Sequence, residues 1–457
     1  MLVCTACLGL SQTPAGDSAS GLAADERQCL AAALPLLQQH NLGDAEAKLA
    51  ECQRERPQSA ILNNALGIVY EQEGRKQEAT KAFERALELL PSFTAAQIHL
   101  GTLYAGAGNC APAQRLLSAA ASATSDSGAL VACGIGLAQC RDLPGSIQVL
   151  EKALRSDPRS VSAAYNLALA KYENNEFPGS LQLLNSLPGE ADVLFLKGKV
   201  GQAIRRSGSS RSGTTDADIA ASLSGACVAR PQQDYCTEAA LELIHQEQFG
   251  KAANLLEKAL PTSPASVPML SALGLARFRL GRYREAIDTY SKAIKLDPSL
   301  EAAREGLGFL LYMTGDLERA RSVVEEGLRG SHSEFYLQYL RTLILFRQSP
   351  DLWSKALASV SVAIENNPQF APAYFLRGKI RSDQNDSAAA LRDFQAAIRI
   401  DPNYSLPYYR MARIYSAMGR AREAAEAANQ FSRLGSLRED DILASQAKAR
   451  LTPEPNR

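Results

Sequence analysis

The chain is poor in the residues from which catalytic centres are built. It has four histidines, His40, His99, His245 and His332. No two of them share a metal-ligand spacing such as HExxH. Neither a GxSxG elbow nor a GxxxxGK[ST] phosphate loop occurs. Cys4-Thr5-Ala6-Cys7 is the one CxxC, and it lies in an apolar leader rather than beside other ligands. Gly134-Ile135-Gly136 resembles part of a dinucleotide fingerprint but has no strand before it, so it reads as close helix packing. These absences predict no catalytic residues, no metal and no cofactor, hence not an enzyme. Charge of one sign is also lacking. Lys plus Arg and Asp plus Glu stand at 49 each, which gives no reason to expect a nucleic-acid partner. No apolar run approaches the roughly 18 residues that would cross a bilayer, so no transmembrane segment is expected. Alternating β-branched runs long enough for a sheet are missing too. Aromatic residues make up only 6%, while Ala, Leu, Glu and Arg are abundant, as stacked helices require.

What the chain does have is self-similarity at about 34 residues. Leu66-Gly67, Tyr70, Ala79, Phe83, Ala86 and Pro91 form the clearest copy. Leu100-Gly101, Tyr104, Ala113, Leu117 and Ala120 follow one period later. Leu273-Gly274, Ala286, Tyr290, Ala293 and Pro298 recur further on, as do Gly378, Ala390, Phe394, Ala397 and Pro402. Met411-Ala412, Tyr415 and Ala424 make a last copy. Small residues let helix axes approach, and large ones fill the space beside them. Gly74, Gly108, Gly281, Gly315 and Gly419 fall where a first helix would end in a left-handed residue. Pro91, Pro158, Pro264, Pro298, Pro368 and Pro402 fall where a second helix must stop.

This pattern resembles the tetratricopeptide (TPR) repeat. The resemblance implies an all-α, right-handed TPR solenoid of about twelve helix-turn-helix repeats, in a bacterial protein. Units are expected to begin near Glu26, Ala60, Thr94, Ser127, Val161, Glu190, Gln233, Val267, Glu301, Leu337, Ala371 and Ser405. An N-terminal array over 23–206 would be followed by a flexible, Ser/Gly-rich insertion at 207–215 and a C-terminal array over 216–435. The insertion reads either as a surface loop or as a linker between two rigid arrays. Ser436-Leu437-Arg438-Glu439 has capping-box spacing and would open a capping helix over 436–450, with a tail over 451–457. Residues 1–22 read as the remnant of a signal peptide followed by an unordered leader.

Seven of the nine cysteines lie beyond that leader. Antiparallel helices bring the fourth position of a unit near its twenty-seventh, where Cys29 and Cys52 stand. The same relation holds between consecutive units for Cys110 with Cys140 and for Cys227 with Cys236, leaving Cys133 in a core slot. Three disulfides are therefore expected, which places the chain in an oxidising, extracytoplasmic compartment.

In TPR proteins the first helix of each unit lines the concave groove. Carried over to this chain, that points to Arg341, Phe375, Lys379, Tyr409, Arg410 and Arg413 as a peptide-binding surface. Such a surface would suit an acidic segment or a C-terminal carboxylate. The face from Asn64, Ile68, Ile98, His99, Tyr165 and Asn166 is more neutral. The chaperone-type carboxylate clamp and the repeated Asn ladder of the O-linked glycosyltransferase solenoid are not matched. The function expected is a non-catalytic scaffold or adaptor that binds protein or peptide outside the cytoplasm. An intracellular adaptor or co-chaperone-like protein, and a structural part of an envelope secretion or polysaccharide-export assembly, stay open beside it.

Overall fold

The computed structural model of the protein describes residues 24–208, 214–330 and 335–435, together with Leu443. Among them are twenty-four α-helices and no strand. The chain divides into two compact units, Met1–Ile219 and Ala220–Arg457.

The first unit holds α1 (Ala24–Gln38), α2 (Leu42–Glu55), α3 (Ala60–Gln72), α4 (Lys76–Leu89), α5 (Thr94–Gly106) and α6 (Cys110–Ala123). It continues with α7 (Ser127–Gln139), α8 (Leu143–Ser156), α9 (Val161–Glu173), α10 (Phe177–Asn185) and α11 (Ala191–Arg206). Helix α12 (Asp216–Ala229) begins in the first unit and has its larger part in the second. The second unit then runs through α13 (Gln233–His245), α14 (Phe249–Ala259), α15 (Val267–Arg279), α16 (Tyr283–Leu296), α17 (Glu301–Thr314) and α18 (Leu317–Gly330). It ends with α19 (Phe335–Gln348), α20 (Trp353–Asn366), α21 (Ala371–Asp383), α22 (Ser387–Ile400), α23 (Ser405–Ala417) and α24 (Ala421–Leu434). From α1 to α10 and from α13 to α24, successive odd and even helices pack as hairpins, and within each unit neighbouring hairpins of these runs pack on one another. The proposed insertion falls partly, and the proposed signal remnant and capping helix almost wholly, outside the described residues.

Local chemistry sets the helix ends. The Ser59 hydroxyl accepts from the Leu62 amide at 3.2 Å, and the Asp126 carboxylate accepts from the Ala129 amide at 2.7 Å. Each satisfies one of the amides left open at a helix start. Gly74, Gly108, Gly281, Gly315 and Gly419 all take positive φ where odd helices end. Five hairpins impose the same left-handed turn on His40, Arg141, Asn175, Glu247 and Asn385. Asn175 and Asn385 are residues that tolerate this conformation, but Arg141 and Glu247 carry no such signal, because the strain there is set by the repeat geometry and not by the residue. Arg141→Gly should relieve it and stabilise the protein by about 1 kcal/mol, since a left-handed L-residue costs about 1–2 kcal/mol and glycine loses part of this as chain entropy. Chemical denaturation of the two proteins tests this, and unchanged or lower stability would refute it.

Inside several hairpins a glycine of the odd helix faces a large residue of the even helix. A Cβ added at Gly67 would lie 2.5 Å from Phe83, at Gly134 2.5 Å from Leu150, and at Gly378 2.7 Å from Phe394. Tyr290 sits between Gly274 and Gly306, and burial pushes its phenol well above the ordinary tyrosine range. Three cysteine pairs add cross-links between neighbouring helices. Cα separations are 6.2 Å for Cys29–Cys52 (α1 to α2), 5.2 Å for Cys110–Cys140 (α6 to the end of α7) and 4.7 Å for Cys227–Cys236 (α12 to α13). All are disulfide distances. Cys133 is buried in the core with Leu130 and Leu137.

Candidate binding surface

Odd-numbered helices of neighbouring hairpins touch, as α5 does α7 and α13 does α15, whereas even-numbered helices show no comparable approach. The side of a stack with the closer spacing is its inner side. Within each unit the odd helices therefore form the inner wall, where a bound chain would meet several hairpins at once.

The six residues expected on that wall of the second unit have different fates. Phe375 is a correction. It is only 4% exposed, and its ring packs on Phe394 at 5.8 Å and Tyr404 at 5.2 Å. It fills the joint between the α21–α22 hairpin and the start of α23, and cannot touch a ligand. Arg341 is engaged elsewhere. Helix α19 is followed by a 3-10 turn at Pro350–Leu352. Arg341 turns to α18, where its Nε donates to Glu325 Oε1 at 2.9 Å.

The other four remain at the surface of α21 and α23. Lys379 Nζ lies 5.3 Å from the centre of the Phe346 ring. Arg410 pairs with Asp383 at 3.8 Å. Tyr409 is 41% exposed, with the Phe431 ring 5.4 Å away. The Arg413 guanidinium lies 5.9 Å over the Tyr409 ring and has no ion-pair partner among the described residues. This surface offers cationic groups beside an aromatic face, but fewer than the sequence suggests, since Asp383 and Glu325 offset two of them.

The sequence reading missed one ionic cluster. Arg377 donates to both Asp393 oxygens at 2.8–3.1 Å, and Arg381 donates to Asp393 Oδ2 at 2.8 Å. Asp393 is buried. The signal was present: Arg377 and Arg381 occupy the places of Leu66 and Tyr70 in the clearest copy. Charges at two core positions require a buried counter-charge nearby. In the first unit the inner wall is neutral, with Ile135 exposed and Ile98, Tyr165 and Leu169 half-buried, but Asn64 and Ile68 are buried at 6% each. Among the described residues no cluster of His, Cys, Asp and Glu could hold a metal ion, and no helix is long and apolar enough to cross a membrane.

Comparison with known proteins gives a consistent picture. Models described as tetratricopeptide or TPR repeat match residues 60–93, 134–194, 274–315, 371–404 and 394–426. The chain is 24% identical over 156 residues to the human protein O-mannosyl-transferase TMTC1, covering 33% of this chain and 18% of that protein. It is 25% identical over 168 residues to the protein SGT1 homolog of Oryza sativa subsp. japonica, covering 36% of this chain and 43% of that protein. The chain thus spans less than half the length of these curated relatives. A crystal structure of the APC/C hetero-tetramer Cut9-Hcn1 is similar over 95% of this chain and 97% of that chain, at 13% identity and a TM-score of 0.44. Repeating hairpins, a glycine against a large side chain in one after another, and repeat-family matches in both units together show that this chain belongs to the tetratricopeptide-repeat family.

Proposed function

We propose that the protein is a non-catalytic TPR scaffold that binds a protein or peptide partner outside the cytoplasm. The observation that carries the binding site is the grouping of Lys379, Arg410, Arg413 and Tyr409 on α21 and α23, two inner-wall helices in contact. Cationic side chains beside an exposed aromatic ring suit an acidic, extended segment. The guanidinium groups would take carboxylates, and the ring would take the apolar part of the chain. Three cysteine pairs at disulfide distance support the extracytoplasmic part of the reading, because such pairs stay oxidised only in oxidising compartments.

The test is a titration of a labelled poly-glutamate peptide into the wild-type protein and into Arg410→Glu/Arg413→Glu. Each exposed pair contributes about 0–1 kcal/mol. The double charge reversal should therefore weaken binding about tenfold, equivalent to about 1.4 kcal/mol. Binding to the wild type should also weaken as salt is raised. Equal affinity for the two proteins would remove this site and leave the TPR fold untouched.

A further inference from the structure

Asparagine followed two residues later by a hydroxyl residue, with no proline between, is the acceptor sequence for N-linked glycosylation. It occurs twice in this chain, as Asn385-Asp386-Ser387 and as Asn403-Tyr404-Ser405. In a folded protein such a tripeptide is usable only at the surface, where an enzyme reaches both the asparagine amide and the hydroxyl. The two copies lie in neighbouring turns of the second unit and differ in that respect.

Asn385 stands in the turn between α21 and α22. Its φ is 67°, a left-handed conformation that asparagine adopts more readily than most residues. The turn is held through its backbone. The Asn385 backbone N–H donates to the Ser382 carbonyl at 3.0 Å, and that of Asp386 donates to the Arg381 carbonyl at 2.9 Å. The Asp386 carboxylate is tied as well, accepting from the Ala389 backbone N–H at 3.0 Å. The Asn385 side chain is exposed and that of Ser387, at the start of α22, is half-buried. Neither the Asn385 carboxamide nor the Ser387 hydroxyl has a hydrogen-bond partner among the described residues. Asn403 is exposed too, but Tyr404 and Ser405 are only 5% and 4% exposed. Tyr404 packs on the Phe375 ring at 5.2 Å. An enzyme could grip that second tripeptide only by drawing Tyr404 out of the core.

We propose that Asn385 is an acceptor site for an N-linked oligosaccharide, added to the folded chain, and that Asn403 is not. The donor is a lipid-diphosphate-linked oligosaccharide, brought by a transferase. Asn385 Nδ2 forms a bond to the anomeric carbon of the first sugar. The bond from that carbon to the diphosphate oxygen breaks, and the lipid diphosphate leaves with the electron pair. Nδ2 gives up one proton to a base of the transferase, and nothing is oxidised or reduced. The Ser387 hydroxyl is the group by which the tripeptide is recognised and forms no bond to the sugar. Such acceptors belong to secreted proteins, so the site rests on the extracytoplasmic part of the reading above.

The test uses the full chain purified from its native host. Trypsin cuts after Arg381, Arg392, Arg399 and Arg410, so the two tripeptides fall in separate peptides, 382–392 and 400–410. Mass spectrometry should find peptide 382–392 heavier by whole sugars carried on Asn385, and peptide 400–410 unmodified. Ser387→Ala should abolish the addition, and Ser387→Thr, which keeps the hydroxyl, should retain it. A digest without reduction reads the state of the six paired cysteines in the same sample. A bare Asn385 in a chain whose six cysteines are oxidised overturns the site and leaves the extracytoplasmic reading standing. A bare Asn385 together with six free thiols overturns both. Sugar that persists in Ser387→Ala overturns recognition through the tripeptide, and sugar on Asn403 overturns transfer to the folded chain.

Discussion

Phe83→Ala should destabilise the first unit by about 3–5 kcal/mol, the usual cost of emptying a phenylalanine site in a packed core. Phe83 is fully buried, and its ring is the surface on which Gly67 rests. Gly67→Leu should cost about 1–3 kcal/mol for the opposite reason, because even its Cβ would come 2.5 Å from the ring. The two changes together should cost less than their sum, since the new leucine occupies part of the space the ring vacates. A coupling of about 1–3 kcal/mol is expected from residues in direct contact. Denaturant unfolding of wild type, both single variants and the double variant measures it. Strict additivity would refute the contact as the reason for the glycine. The loss should centre on α3 to α5, because each hairpin packs only on its neighbours. Amide exchange reads that distribution.

Removing the Cys110–Cys140 cross-link by a double Cys→Ser change should have the next largest effect. It closes a loop with a sequence separation of 30, against 23 for Cys29–Cys52 and 9 for Cys227–Cys236. Loop-closure entropy then predicts stabilisation of about 3.6, 3.4 and 2.6 kcal/mol respectively. Cys110–Cys140 also ties α6 to α7, two helices of different hairpins, so its loss should loosen the joint between them. Thermal unfolding of the native protein and the double variant, with and without a reducing dithiol, tests the ranking. If the untreated native protein carries free thiols at these six positions, the extracytoplasmic reading fails and the intracellular adaptor takes its place.

Most of the fold was legible because a TPR array is built from local rules repeated. A glycine opposite a large side chain, a left-handed residue between helices and a proline after them each act within one unit. Helix α21 begins at Ala371 and α23 at Ser405, as the spacing predicts, and Gly378 meets Phe394 as the pattern requires. Legibility failed where a side chain's partner comes from outside its own unit. Arg341 was assigned to the wall from its place in the repeat, while Glu325 on the helix before it accepts its Nε–H at 2.9 Å.

The sequence by itself determined the family, the helical class, the hairpin pairing and the facing positions of the cysteines. All of these follow from periodicity and from the steric needs of two helices in contact. Tertiary structure decided which members of the expected wall are available to a partner. Phe375 and Tyr409 occupy the same place in successive repeats, and their neighbours differ: the next hairpin buries Phe375, while Tyr409 belongs to the last described hairpin. It likewise decided which charges are offset, since Asp383 and Glu325 lie far along the chain from the arginines they meet. Exposure and charge pairing depend on what the rest of the chain brings alongside a residue, and a repeat pattern assigns the same place to every copy whatever stands next to it.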